Sequence, residues 1–275
     1  MKIKIAILSL GLACVAMIVE GPAAPPLLGS APEMSGVASA TPLAFIANAG
    51  QADGRALFYA RTPGYTLWLT REGLVFDRME KGTQVGARRS VSRLDFMNAR
   101  RDVRISACDS LDYKVSYFFG REESEWKTGI PTSRAVGYHG LYDGIDLEVY
   151  GTDRQVEYDW VVAPGGRPRD IRFALDRGRK AGLDGDGNLL IETAAGRVVH
   201  RKPVAFQVID GRRTDVEASF RETEDGSYGF AVGAYDPRFD LTIDPLVVLY
   251  GTFLGGWKQD FGVKVGLDLA FARPP

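Results

Sequence analysis

From about Thr41 onward, short runs of alternating apolar and polar residues are separated, at intervals of roughly ten residues, by Gly, Pro, Asp and Asn. Tyr65, Leu67 and Leu69 alternate with Thr66, Trp68 and Thr70, and Ile171, Phe173 and Leu175 alternate with Arg172, Ala174 and Asp176. A period of two places successive side chains on opposite faces of a strand. The same reading predicts strands over 56–61, 74–79, 93–97, 113–119, 189–193, 204–209, 216–221, 228–232 and 241–243. Past the N-terminal apolar run no segment keeps the 3.6-residue period of an amphipathic helix. The expectation is an all-β protein of about fifteen short antiparallel strands, sandwich-type, in two packed β subdomains. Ala163-Pro164-Gly165-Gly166-Arg167-Pro168 is the best internal boundary, a turn-rich break between two strand-dense halves.

The segment from Ile145 to Val161 reads as a hairpin whose register follows from its pattern. Pairing Tyr150 with Gln155 across a turn at 151–154 sets Val149 against Val156, Leu147 against Tyr158 and Ile145 against Trp160. One face becomes wholly apolar. The other carries Glu148 opposite Glu157 and Asp146 opposite Asp159, and like charges directly opposite each other destabilise a sheet. Three accounts of these carboxylates stand side by side. The face is open to water, where screening weakens the repulsion; or arginines of a neighbouring strand, such as Arg134 or Arg172, neutralise it; or Asp146, Glu148, Glu157 and Asp159 hold a hard cation such as calcium.

Ahead of the strands, Lys2 and Lys4 precede an apolar run from Ile5 to Val19. This is the charged and apolar part of a secretory signal, shorter than the ~20 residues of a membrane-spanning helix. Cleavage is expected between Gly21 and Ala40. Residues 1–24 then form the signal, and the Pro-, Ala-, Gly- and Ser-rich residues 25–40 form a flexible lead-in to a β leader domain over 41–247. No integral membrane segment is expected after cleavage. Cys14 lacks the opening of a lipoprotein motif, because Gly11 stands where a large aliphatic residue is needed. Cys108 is then the cysteine of the mature chain, which excludes an intramolecular disulfide, and no basic neighbour in the sequence activates its thiol.

Composition narrows the partners rather than naming one. With 34 basic residues against 35 acidic ones, the chain has no basic field for nucleic acid or anionic lipid. Cell-surface proteins or polysaccharide are the partners expected of an exported β module. The sequence contains no Gly-x-Ser-x-Gly elbow, His-Glu-x-x-His, phosphate loop or dinucleotide-binding glycine pattern. Its two histidines are His139, expected in a Gly-rich turn, and His200, expected at a strand end; both are read as structural or solvated. Asp184-Gly185-Asp186-Gly187-Asn188 opens like a calcium loop. Leu189 and Ala195 occupy the positions where an EF-hand needs Gly and Glu, so a tight turn is expected instead.

Several ordered motifs resemble a known family. They are Phe45-Ile46-Ala47-Asn48-Ala49-Gly50-Gln51, Ala60-Arg61-Thr62-Pro63-Gly64-Tyr65-Thr66-Leu67, Tyr117-Phe118-Phe119-Gly120 and Trp126-Lys127-Thr128-Gly129-Ile130-Pro131-Thr132. Tyr142-Asp143-Gly144-Ile145-Asp146-Leu147, Glu157-Tyr158-Asp159-Trp160-Val161-Val162-Ala163-Pro164-Gly165, Gly233-Ala234-Tyr235-Asp236-Pro237 and Ile243-Asp244-Pro245 follow. Together they resemble the N-terminal domain of secreted bacterial SBBP-repeat proteins, which carry β-propeller repeats after a β leader. The resemblance implies an extracellular or cell-surface protein, similar to surface-layer glycoproteins, with no enzymatic residues to carry over. It also implies that 248–275, with Tyr250-Gly251-Thr252-Phe253-Leu254-Gly255-Gly256, is the truncated start of a first repeat. The expected function is a non-enzymatic structural, adhesive or display module. Two rivals are a carbohydrate- or calcium-binding enzyme domain using the hairpin carboxylates beside an exposed aromatic such as Trp126, and a nonfunctional remnant of a longer propeller protein.

Overall fold

The computed structural model describes residues 15–16, 43–80, 88–152, 155–175, 181–193, 196–245 and 247–250. Most of the expected signal, the lead-in, and the tail from 251 onward lie outside the described residues. In chain order the strands are β1 (Val15–Ala16), β2 (Phe45–Ala47), β3 (Ala56–Arg61), β4 (Thr66–Thr70), β5 (Gly73–Glu80), β6 (Arg88–Phe96) and β7 (Arg104–Phe118). Then come β8 (Lys127–Tyr142), β9 (Ile145–Thr152), β10 (Gln155–Val162), β11 (Phe173–Leu175), β12 (Ala181–Leu183), β13 (Leu189–Thr193) and β14 (Gly196–His200). The last are β15 (Val204–Ile209), β16 (Arg212–Val216), β17 (Ala218–Glu222), β18 (Tyr228–Val232), β19 (Leu241–Asp244) and β20 (Val247–Tyr250). No α-helix occurs among the described residues, only two 3-10 turns, Glu123–Glu125 and Pro168–Asp170.

The protein is all-β and antiparallel, as the alternation predicts. One large sheet runs β16-β15-β19-β10-β9-β8-β2-β3-β4-β5-β6-β11-β18-β17, with β7 beside β8 and β1 beside β7; a smaller sheet runs β12-β13-β14-β20. The strands β16 and β17 end opposite sides of the large sheet, yet only Glu217 lies between them in sequence. The sheet therefore bends round until its two ends meet at a corner, and its inner faces pack on each other. Strands before and after the break at 163–168 pair directly: β10 with β19, and β6 with β11. Both halves contribute to one apolar cluster.

Aromatic rings fill the space between the facing layers. Trp160 of β10 lies 6.0 Å edge-on from Phe96 of β6, 6.1 Å from Tyr142 of β8 and 6.3 Å from Phe230 of β18. Phe230 continues to Phe173 at 5.8 Å and to Phe220 at 5.6 Å. The buried tyrosines find acceptors for their hydroxyls, which burial otherwise penalises. Tyr138 donates to the Thr70 carbonyl (3.0 Å) and Tyr142 to the Arg172 carbonyl (2.5 Å). A second cluster of Tyr59, Trp68, Val75, Tyr117 and Ile130 covers the other side of the β3–β5 region, where the β7–β8 hairpin folds over it. There Tyr59 donates to the Tyr117 hydroxyl at 2.7 Å.

The motifs that carry the family resemblance build loops and braces. Asn48 Nδ2 donates to the carbonyls of Asp53 (2.8 Å) and Ala56 (2.7 Å), while its Oδ1 accepts from the amides of Gly50 and Ala52. Gln207, buried on β15, donates to the Asp236 carbonyl and accepts from the Asp236 amide, both at 2.8 Å, which pins the 233–240 loop. The Asp184 segment is the expected tight turn: its carboxylate accepts from the amides of Asp186 (2.9 Å) and Asn188 (2.8 Å) just before β13.

The turn expected around His139 is absent. His139 lies within β8, in register with Arg104. Gly129 and Gly140 interrupt the pattern on this 16-residue strand, and both adopt left-handed φ angles, 67° and 65°. Such residues read as turn formers in sequence, yet here they kink a continuous strand. The register slips between Tyr138 and Tyr142.

His200 ends β14 as expected and joins the two sheets. It is 1% exposed, and its Nδ1 lies 2.9 Å from the Tyr158 hydroxyl of β10. Burial pulls its pKa down from 6.5 to about 4. The unfolded chain therefore binds the proton more readily, so the His200 contribution is intact above pH 6.5 and is lost as pH falls toward 4. The shift corresponds to about 3 kcal/mol. Thermal melting should show that His200→Gln loses less stability than the wild type between pH 6.5 and 4.5; equal losses would disprove this role.

Candidate functional site

The Ile145–Val161 hairpin forms as β9 and β10, and its apolar face is complete. Ile145, Leu147, Val149, Val156, Tyr158, Trp160 and Val162 are all buried. Its register differs from the expectation by two residues. Thr152 pairs with Gln155, Tyr150 with Glu157, Glu148 with Asp159 and Asp146 with Val161. Two residues instead of four join the strands, in keeping with the preference of hairpins for two-residue loops. A slip of two leaves every side chain on its face, so the apolar pattern cannot distinguish the alternatives. It changes which acids meet: Glu148 faces Asp159, while Glu157 faces Tyr150.

The structure adds a carboxylate that hairpin reasoning missed. Asp244 of β19 falls beside Asp159, one step along from the Trp160–Ile243 pair. The outward row Ser106, Gly137, Glu148, Asp159, Asp244, Val204 thus crosses β7, β8, β9, β10, β19 and β15. Thr242 and Asp244 alternate outward between inward Leu241 and Ile243, a pattern legible in the sequence although its partner strand was not.

Neither Arg134 nor Arg172 neutralises the cluster, and the Arg213 charge offsets only part of the rise at Asp244. Arg134 pairs with Asp109 at 3.1 Å, and Arg172 pairs with Asp225 at 2.6 Å. Full solvation does not explain it either, since Glu148 is exposed but Glu157, Asp159 and Asp244 are only half-exposed. Hydrogen bonding and protonation accommodate the charge. Tyr150 donates to Asp159 Oδ1 at 3.1 Å, and Thr152 donates to Glu157 Oε1 at 2.7 Å. Burial, reinforced by the neighbouring Asp244 charge, raises the Asp159 pKa from 3.8 to about 7. Burial and the Glu157 charge raise Asp244 as well, and its Oδ1 is buried without a hydrogen-bond partner.

Asp146 is drawn away from the other acids. Its Oδ1 accepts the Gly140 amide at 2.7 Å, and its Oδ2 lies 3.5 Å from His139 Nδ1. His139 Nε2 in turn lies 2.9 Å from Ser106 Oγ. Among the described residues no group of three or more His, Cys, Asp or Glu side chains is placed to hold a metal ion. Trp126 is half-buried, packed edge-on against Phe118 at 4.9 Å. Cys108 is half-buried, 3.8 Å from the Ser106 carbonyl.

The Asp159 shift has a testable sign. The folded state holds the proton between pH 3.8 and about 7, so the stabilising contribution is present below 3.8 and is lost as pH rises through 7. Between pH 4 and 6.5 this slope opposes that of His200. Asp159→Asn, which keeps an acceptor for Tyr150, should raise the melting temperature most at pH 8, less at pH 5, and leave it nearly unchanged below pH 3.8. A variant no more stable than wild type at pH 8 would show that Asp159 is ordinarily ionised.

No curated protein and no solved structure matches this chain. Among the described residues no helix is long and apolar enough to cross a membrane. A family model described as "Domain of unknown function (DUF7948)" matches residues 45–246, most of the strand-bearing region. The chain belongs to that family, DUF7948.

Proposed function

We propose that this chain is an exported structural, adhesive or display module of a cell-surface or extracellular protein, and that the outer face of β7–β10, β19 and β15 is its contact surface. The observation that carries the reading is the cross-strand row Ser106, Gly137, Glu148, Asp159, Asp244, Val204. Within it Glu148, Asp159 and Asp244 stand on three adjacent strands at their ~4.8 Å spacing. The apolar undersides of β9 and β10 are packed into the aromatic core, so this array is held rigidly. A rigid array of carboxylates and hydroxyls suits a repeating polyhydroxylated ligand, whose hydroxyls donate to them. The N-terminal Lys2, Lys4 and Ile5–Val19 support export, and the motif resemblance supports a surface location.

Two measurements test the reading. Expressed from its own start in a bacterial host, the protein should leave the cytoplasm and lose its N-terminus between Gly21 and Ala40. Recovery of uncleaved protein from the cytosol would refute export. Purified protein should bind cell-surface polysaccharide in a sedimentation assay, and Glu148→Gln with Asp244→Asn should weaken binding by at least ~10-fold, the loss of two charge-assisted hydrogen bonds. Binding unchanged in that double variant would remove this face as the contact surface. A melting-temperature rise on adding calcium, abolished in the same variant, would instead support the cation-binding alternative.

A further inference from the structure

Beside the carboxylate row, three side chains from three strands stand in the order of a nucleophile, a base and an orienting acid. Ser106 of β7 places Oγ 2.9 Å from Nε2 of His139 on β8. His139 Nδ1 faces Asp146 Oδ2 of β9 at 3.5 Å. The Gly140 amide, donating to Asp146 Oδ1 at 2.7 Å, turns the second oxygen toward the ring. With Asp146 favouring a proton on Nδ1, Nε2 is left as an acceptor for the Ser106 hydroxyl, the tautomer a general base needs. The His139 and Asp146 side chains keep 30% and 50% of their surface accessible, so a ligand reaches them from solvent.

The contact of His139 with Ser106 is diagonal across the sheet. His139 is in register with Arg104, and Ser106 with Gly137. The imidazole must therefore lie back over position 137 to reach Ser106. A Cβ on Gly137 would sit 2.9 Å from both Cε1 and Nε2 of His139 and 3.2 Å from Cys108 Sγ, so the ring would have to move from this place. The bare backbone at Gly137 is a second observation beside the hydrogen bond: it leaves the space in which the ring reaches Ser106.

We propose that Ser106, His139 and Asp146 form an acyl-transfer site acting on small, sterically open esters. This goes beyond the module reading above and does not require it. Ser106 Oγ attacks the ester carbonyl carbon while its proton passes to His139 Nε2; collapse of the tetrahedral adduct breaks the bond to the alcohol oxygen, which takes that proton from His139. Water then attacks the acyl-Ser106 ester, giving its proton to Nε2, and Ser106 leaves as the alcohol with that proton restored. The balance is ester plus water to acid plus alcohol. Asp146 acts through His139 as a positioning residue. General-base assistance contributes ~10²–10⁴-fold, so slow turnover of an activated ester is expected.

The test uses the full chain, a fluorophosphonate probe with peptide mass spectrometry, and p-nitrophenyl acetate hydrolysis. The probe should label Ser106, and Ser106→Ala should abolish labelling and lower hydrolysis at least ~10-fold. His139→Gln and Gly137→Ala should do the same with unchanged circular dichroism. Should Gly137→Ala fail to fold, His139→Gln carries the comparison. Asp146→Asn should lower kcat while leaving KM unchanged, and Cys108→Ala should leave labelling and hydrolysis intact. Absence of label on wild-type Ser106, or hydrolysis that survives Ser106→Ala and disappears with Cys108→Ala, would overturn the proposal. Because neither readout involves polysaccharide or export, its failure would leave the module reading standing.

Discussion

The fold depends on the burial of Trp160 between the two layers of one bent sheet. Its indole lies against a ring of nearby β8 and against rings of β6 and β18, which are far from β10 in sheet order, so the latter contacts exist only when the sheet is folded over. A fully buried aromatic side chain contributes a few kcal/mol through the water it displaces and the contacts it makes. Replacing such a residue by alanine typically costs ~3–5 kcal/mol. The long-range pairings that bring β17 near β16 therefore rest on a small set of rings: Phe96, Tyr138, Trp160, Phe173, Phe220 and Phe230.

The period of two turns this inward requirement into an outward one. Because Tyr158 and Trp160 must point into the core, Glu157 and Asp159 must point away from it, and the same holds for Thr242 and Asp244 around Ile243. Acidic side chains from adjacent strands are thus set about one strand spacing apart by the packing on the opposite face. A rigid sheet gives them no room to separate, so the repulsion is relieved by Tyr150 and by a retained proton on Asp159. The strain of the outer face follows from the quality of the inner one.

Strand positions and the facing of side chains were legible from the sequence, as β3, β13, β15 and β18 show, because alternation encodes both. Register was not, since the apolar pattern of β9 and β10 is unchanged by a slip of two. The length of β8 was hidden by Gly129, Pro131, Gly137 and Gly140, which usually punctuate turns. Asp146, Glu148, Glu157 and Asp159 were found because they share a hairpin. Asp244 was missed as their neighbour because 85 residues separate it from Asp159 and only the β10–β19 pairing joins them. Ser106 and His139 were missed as a pair for the same reason: each is unremarkable within its own strand, and the contact arises from the β7–β8 register and the absence of a side chain at Gly137.

The division of labour between motif residues and outer-face residues bears on where function resides in this family. Asn48, Gln51 and Tyr142 of the motifs bond to backbone groups of loops or neighbouring strands, and Gln207, outside them, holds the backbone of motif residue Asp236, so these positions serve the fold whatever the protein binds. Among the outward residues of β9, Glu148 is exposed, while Asp146 accepts the Gly140 amide and lies 3.5 Å from the His139 ring. A position that the core does not constrain is free to be set by a ligand or a reaction. On the outward face of β7–β10 and β19, Glu148, Tyr150, His139 and Ser106 lie outside those motifs and stand beside the motif acids Asp146, Glu157, Asp159 and Asp244; this is the face on which the proposed contacts lie.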